Sequence, residues 1–256
     1  DRYCIDGQRL IAVNGTYGAN NTEYRTEVDG FTKVTSNGSQ GSGPLWFKVW
    51  TKSGQVIEYG NTTDSRIEAE GKTDVRLWAV NKISDTVGNY LIVTYSEDTT
   101  NGSYHPIRID YTGNDSANPT LSPNTKVEFE YETRTDSLTL YQSGSKVRNT
   151  QRLTNIKTYT DTTTNPILVR DYQLTYDNNG AANRSRLTEL KECDGNTTPN
   201  CFRPIQLDWE VGSEDFSSFD LWLPSGQGPH TGNYPRTDNG TTGVMSDLID
   251  MNGDGL

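Results

Sequence analysis

Residues 75–111 constrain the fold more than any other stretch. They read VRLWAVNKISDTVGNYLIVTYSEDTTNGSYHPIRIDY. Polar and apolar residues alternate, a turn falls at Asp85 to Asn89, and alternation resumes from Tyr90 to Tyr95. A second turn falls near Asn101 and Gly102, and a third strand comes next around Ile107 to Tyr111. Successive side chains of a strand point to opposite faces, while Asn, Asp and Gly supply tight-turn conformations, so the stretch is a three-stranded β-meander. The same pattern recurs on both sides. The expected fold class is all-β, an extended or curved antiparallel sheet built from meanders and hairpins.

Composition agrees with a sheet that keeps one face in water. Only 31% of residues are hydrophobic, but 14 Tyr and 5 Trp supply wide rings that cover a sheet when aliphatics are scarce. The net charge of -11 disfavours nucleic acid, and Arg and Lys are spread along the strands with no basic stripe. No apolar run approaches the roughly 20 residues of a membrane-spanning helix. The opening DRYCIDGQRL lacks the apolar core of a signal peptide and reads like the interior of a longer chain. The ending Asn252-Gly253-Asp254-Gly255-Leu256 stops inside a motif, so a fragment is expected.

Along the chain, residues 36–44 (SNGSQGSGP) are rich in turn formers and are expected to set a short N-terminal arm, residues 1–43, apart from the main sheet. Residues 45–59 read as a hairpin. Because Leu45, Phe47 and Val49 alternate with Trp46 and Trp50, apolar groups fall on both faces, and burial of this strand between layers is expected. Residues 61–74 read as an acidic loop. Residues 126–132 (KVEFEYE) alternate most cleanly: Val127, Phe129 and Tyr131 on one face, Lys126, Glu128, Glu130 and Glu132 on the other. Alternation alone accounts for the glutamates as a solvated face. Residues 152–156 and 184–190 form a weak hairpin-sized repeat. Periodicity fades after residue 210, so residues 211–243 are expected to be a linker or long loop and residues 244–256 the start of something new.

Few residues point to chemistry. Asp250, Asn252 and Asp254 alternate before glycines, a spacing that offers oxygen ligands to Ca2+, with the Leu256 carbonyl at the next alternating position. The remaining ligands would lie beyond Leu256, so calcium is expected in the intact protein and no cofactor in this fragment. The other reading of the loop is an acidic Asn-Gly turn. Cys193 and Cys201 enclose a turn-rich loop and either form a hairpin disulfide or remain two reduced thiols; Cys4 is left over. His105 and His230 form no ligand or nucleophile motif. Sequons at Asn14, Asn61, Asn101 and Asn196 carry little information in a chain this rich in Asn and Thr.

Several motifs together resemble a known family. Arg2-Tyr3-Cys4-Ile5-Asp6-Gly7-Gln8-Arg9-Leu10, the run FKVWTKSGQVIEYG at residues 47–60, and WAVNKISD at residues 78–85 are similar to the SpvB-like amino-terminal region of bacterial toxin-complex B components and Rhs-family proteins. Gly88-Asn89-Tyr90, Ile109-Asp110-Tyr111-Thr112 and FEYETR at residues 129–134 agree. The likeness covers residues 4–209, and residues 247–256 resemble the opening of an FG-GAP or VCBS propeller repeat. The resemblance implies a domain over residues 1–210 that forms a wall of a β-shell enclosing a toxic C-terminal cargo. It also implies a secreted or cell-surface protein whose partners are its own remaining domains and other toxin-complex subunits. The ADP-ribosyltransferase activity of some SpvB proteins belongs to a separate later domain and is not carried onto these residues.

The leading expectation is therefore a noncatalytic scaffold. A secreted carbohydrate-binding or adhesion module is the alternative, drawn from Trp46, Trp50, Trp78, Trp209 and Trp222. A glycoside hydrolase using acidic residues ranks third, because such chemistry needs opposed carboxyl groups in a cleft.

Overall fold

The computed structural model describes residues 2–162, 164–178 and 184–210. The chain divides into two units, Asp1–Gly212 and Ser213–Leu256, and all the described residues belong to the first. The expected linker at residues 211–243 and the segment 244–256 lie outside the described residues.

The first unit is all-β, and among the described residues no α-helix occurs. Fourteen strands form one antiparallel sheet: β1 (Cys4–Ile5), β2 (Gln8–Asn14), β3 (Glu23–Thr26), β4 (Lys33–Asn37), β5 (Trp46–Trp50), β6 (Val56–Tyr59), β9 (Val80–Ser84), β10 (Asn89–Asp98), β11 (Ser103–Asn114), β12 (Thr125–Thr133), β15 (Gln151–Thr160), β16 (Ile167–Asp177), β17 (Arg186–Asp194) and β18 (Ile205–Gln206). Their order in the sheet is their order in the chain. Two hairpins interrupt the series: β7 (Arg66–Glu68) with β8 (Val75–Trp78), and β13 (Thr139–Gln142) with β14 (Ser145–Arg148).

Local chemistry explains the turns. Asp85 Oδ1 accepts the backbone N–H groups of Val87 and Asn89, both at 2.9 Å, while Asn89 Nδ2 donates to Asp85 Oδ2. Asp98 is bound in the same way by Thr100 and Asn101, and Asp194 by Asn196 and Asn200. Each carboxylate satisfies donors that the turn removes from the ladder, which is why Asp opens these turns and Asn comes after it. The sequon residues Asn101 and Asn196 serve as turn staples in this way, and Asn61 Nδ2 donates to Glu58.

The sheet is packed unevenly. Under β2 to β5 lies a core of Leu10, Tyr24, Val34, Phe47 and Val49, with Tyr3, Tyr17, Tyr59 and Trp78 packed against it. Tyr3 stacks on Tyr17 at 5.2 Å, and Phe47 meets Trp78 edge to face at 4.9 Å. Burying side chains of this size stabilises by about 1.5–3 kcal/mol each. Beyond β11 most strand residues are half-buried and β13 and β18 are exposed, and the polar face carries ion pairs: Lys126 with Glu128, Lys157 with Glu130, and Arg152 with Glu132. The three glutamates are thus each engaged by a cation on a solvated face.

Three expectations need correction. Residues 36–44 do not set residues 1–43 apart, because β4 and β5 pair over five positions from Lys33↔Trp50 to Asn37↔Trp46, making that stretch the connection within a hairpin. Strand β5 is not sandwiched: Phe47 and Val49 are buried, while Trp46 and Trp50 are half-exposed on the other face with Lys33 and Lys48 over the Trp50 ring. The first strand of the central meander is two strands. Ala79 breaks it, donating its N–H to Ser65 and accepting the N–H of Gly60, so β8 pairs with β7 and β9 pairs with β6.

Candidate functional site

The two inserted hairpins meet over the turn between β10 and β11. Glu70, in the turn between β7 and β8, donates its backbone N–H to Ser145 Oγ at 3.1 Å, and its carboxylate accepts from Lys146 Nζ at 2.9 Å. Arg76 of β8 donates to Gln142 Oε1 at the end of β13 and to the Gly102 carbonyl at 2.9 Å. Arg148 of β14 donates its backbone N–H to the Asn101 carbonyl at 2.8 Å. The turn at residues 101–102 is therefore held from both sides.

The turn end of the β7–β8 hairpin is also tied to residues 40–42. Asp74 Oδ1 accepts both the backbone N–H and the hydroxyl of Ser42, and Gln40 Nε2 donates to Glu68 at 2.6 Å. A register shift between Thr94 and Tyr95 disturbs the β10 ladder, and Asp64 accepts the N–H of Tyr95 at 2.8 Å. Glu97 of β10 accepts the backbone N–H of Glu68 at 3.1 Å. Burial, and after it the neighbouring Glu68, pushes the Glu97 carboxyl up to about 7.

Beneath this junction lies a cavity of about 800 Å3. Its wall includes the rings of Tyr59, Trp78, Tyr95 and Tyr104 together with Arg76 and Cys4. Tyr95 and Tyr104 are 5.9 Å apart, and the Tyr95 hydroxyl donates to the Val80 carbonyl at 2.8 Å. Burial raises the Tyr95 phenol to about 12, and burial likewise lowers the Arg76 guanidinium from its ordinary value.

Elsewhere the residues singled out from the sequence are dispersed. Cys193 and Cys201 form a disulfide at the β17 edge, with Cα atoms 4.0 Å apart, and Cys4 is a free, exposed thiol. His105 packs on Tyr131 at 4.1 Å, and burial lowers its pKa. Trp78 is built into the core, while Trp209 is half-exposed with its indole N–H on the Leu187 carbonyl. Asp250, Asn252, Asp254, Leu256, His230 and Trp222 lie outside the described residues. Among the described residues no three His, Cys, Asp or Glu side chains converge as a metal site.

No protein-family model matches the chain, and no curated protein matches it. Solved structures do match. The N-terminal domain of the effector protein SpvB from Salmonella typhimurium strain LT2 aligns over 80% of this chain and 80% of its own, at 14% identity and a TM-score of 0.55. The fold is that of the SpvB N-terminal domain. TcdB2-TccC3 carries the same architecture, with a TM-score of 0.61 and 17% identity over 79% of this chain. The TcdB2-TccC3-TEV structure gives 0.63 and 16% over the same share. This chain spans 13% of those two chains.

Within the SpvB-like sheet, sequence reasoning passed over Glu70, Arg76, Glu97 and Lys146. Arg76 occupies a polar place in an alternating run, which reads as solvent-facing. Only the hairpin docked against β8 makes its environment dry. Glu70 and Lys146 have no local signal, since each is half of a contact that spans 76 residues.

Proposed function

We propose that this chain is a noncatalytic scaffold segment of a large bacterial toxin, one wall of a β-shell that encloses a toxic C-terminal cargo, and that it works outside the producing cell with the remaining domains and toxin-complex subunits as partners. The observation that carries this reading is the sheet itself. Fourteen antiparallel strands keep chain order in an architecture like that of TcdB2-TccC3. The mostly half-buried strands β12, β15, β16 and β17 suit a wall with a surface on each side. In the intact polypeptide Asp250, Asn252, Asp254 and the Leu256 carbonyl would contribute to a calcium loop completed by later residues.

Limited proteolysis of the intact polypeptide tests the scaffold reading. The C-terminal segment is expected to resist protease until denaturant opens the particle. A C-terminal segment digested at the same rate with and without denaturant would sink it. Thermal melts of the same protein with calcium or chelator, repeated on Asp250→Asn, test the loop separately: calcium should raise the melting temperature of the parent and not of the variant.

One observation favours a second reading as a carbohydrate-binding module. Trp46 and Trp50 share the half-exposed face of β5, where a sugar stacking on Trp50 would displace the lysines over its ring. A glycan array without saturable binding, or with binding unchanged by Trp50→Ala, removes it.

A further inference from the structure

The cavity beneath the docked hairpins is not required for a wall. Its volume of about 800 Å3 falls within the roughly 300–1,000 Å3 of small-molecule sites, which are mostly apolar with a few placed polar groups. The rings of Tyr59, Trp78, Tyr95 and Tyr104 supply the apolar part.

Arg76 supplies the polar part. Its two described hydrogen bonds go to neutral oxygens, the Gln142 amide and the Gly102 carbonyl. Its Nε is buried and has no hydrogen-bond partner among the described residues. A partly dry guanidinium bonded only to neutral groups retains the capacity to bind an anion, and a planar carboxylate or sulfonate matches its fork. Two other charged residues line the cavity, Arg2 and Asp6, both exposed at its N-terminal side. They offset each other, and Glu97, whose carboxyl acts electrostatically on Arg76, is not among the lining residues, so Arg76 decides the sign of the lining.

We propose that this cavity binds a small aromatic anion, a flat ring system carrying one carboxylate or sulfonate, with the rings of Tyr95 and Tyr104 packing against it and Arg76 pairing with its charge. The anion pairs with the Arg76 charge, and the rings shield the pair from water. A neutral aromatic of the same size gains only the ring contacts.

Anilinonaphthalene sulfonate is a suitable probe, with N-phenylnaphthylamine as its neutral counterpart. Fluorescence titration of the folded chain is expected to show one saturable site for the sulfonate. Arg76→Gln should weaken sulfonate binding by at least about tenfold, the loss of one charge-assisted bond, and leave the neutral probe unchanged. Cys4 localises the site independently, because it lines the cavity and carries the free thiol. Bound sulfonate should slow its reaction with a thiol reagent. Cooperative unfolding of each protein excludes the loosened states that also bind this dye. If Arg76→Gln does not fold, the parent still decides through Cys4 protection and the preference for the sulfonate over the neutral probe. Absence of saturable binding, equal affinity for the two probes, or an unprotected Cys4 each overturns the proposal.

Discussion

Lys146 Nζ donates to Glu70 Oε1 at 2.9 Å, joining the two inserted hairpins through residues 76 positions apart in the chain. The side chains are 36% and 32% exposed, so water screens the pair, and such pairs contribute less than about 1 kcal/mol. What locks the junction is backbone shape. Gly102 has φ +61, and a Cβ there would lie 2.5 Å from the Lys146 carbonyl oxygen. Urea unfolding should therefore rank the variants: Lys146→Ala losing under about 1 kcal/mol, and Gly102→Ala losing about 1–3 kcal/mol. The reverse ranking would mean that charge holds the hairpins.

Glu97 makes stability fall as pH rises. Its folded pKa of about 7 lies above the ordinary glutamate value of about 4.3, so between them the folded state holds a proton that the unfolded state has released. Stability is then greatest at the acid end of that window and declines towards pH 7, with no further loss from this group above it. Glu97→Gln keeps an oxygen for the Glu68 N–H and removes the titration. Its urea midpoint should match the parent near pH 5 and exceed it at pH 8. A constant difference between the two pH values would exclude Glu97 as the source.

Asp136 works with the opposite sign. Arg134 grips its carboxylate at 2.7 Å, Ser185 adds backbone and hydroxyl donors, and together they hold its pKa far below the usual carboxylate range. Its contribution is complete above the ordinary value of about 3.9 and is lost progressively as pH falls below it. Asp136→Asn should destabilise at pH 7, and the gap to the parent should narrow as pH drops below about 4. A gap that widens in acid would overturn the assignment.

The Cys193 to Cys201 bond closes a short loop with a sequence separation of 8. Loop-closure entropy for that span puts its contribution at about 2–3 kcal/mol. Alkylation of the native chain should label Cys4 alone, and labelling after reduction should reach all 3 cysteines. Reduction should also lower the thermal midpoint. Labelling of every cysteine before reduction would show that the bond does not form.

The sheet was legible wherever one strand carries its own pattern. In β12, Val127, Phe129 and Tyr131 alternate with three glutamates, and the fold keeps that division. What escaped was anything that depends on a second strand. Lys157 and Arg152 neutralise Glu130 and Glu132 because β15 arrives in a particular register, which no local spacing encodes. The break at Ala79 escaped because β8 and β9 are both extended, so alternation runs through a residue whose backbone bonds go to Ser65 and Gly60. Residues 61–74 looked like a loop, yet residues 66–68 form β7, where Ile67 is fully buried. The cavity was invisible for the same reason: Arg76 and Tyr104 belong to different strands, and their neighbourhood exists only once both hairpins have docked.

Because strand order repeats chain order, each strand finds its partner already made when it leaves the ribosome. The β1-to-β2 pairing asks for nothing further along, and every later strand needs only its predecessor, with β9 and β15 waiting for one hairpin each. Loop-closure costs stay short throughout, which favours assembly by vectorial zippering during synthesis. The same economy applies to descent. A hairpin inserted between any two neighbours lengthens the sheet without rethreading it, so a protein of this kind can change its size by whole hairpins while every pair except the one that is separated keeps its register.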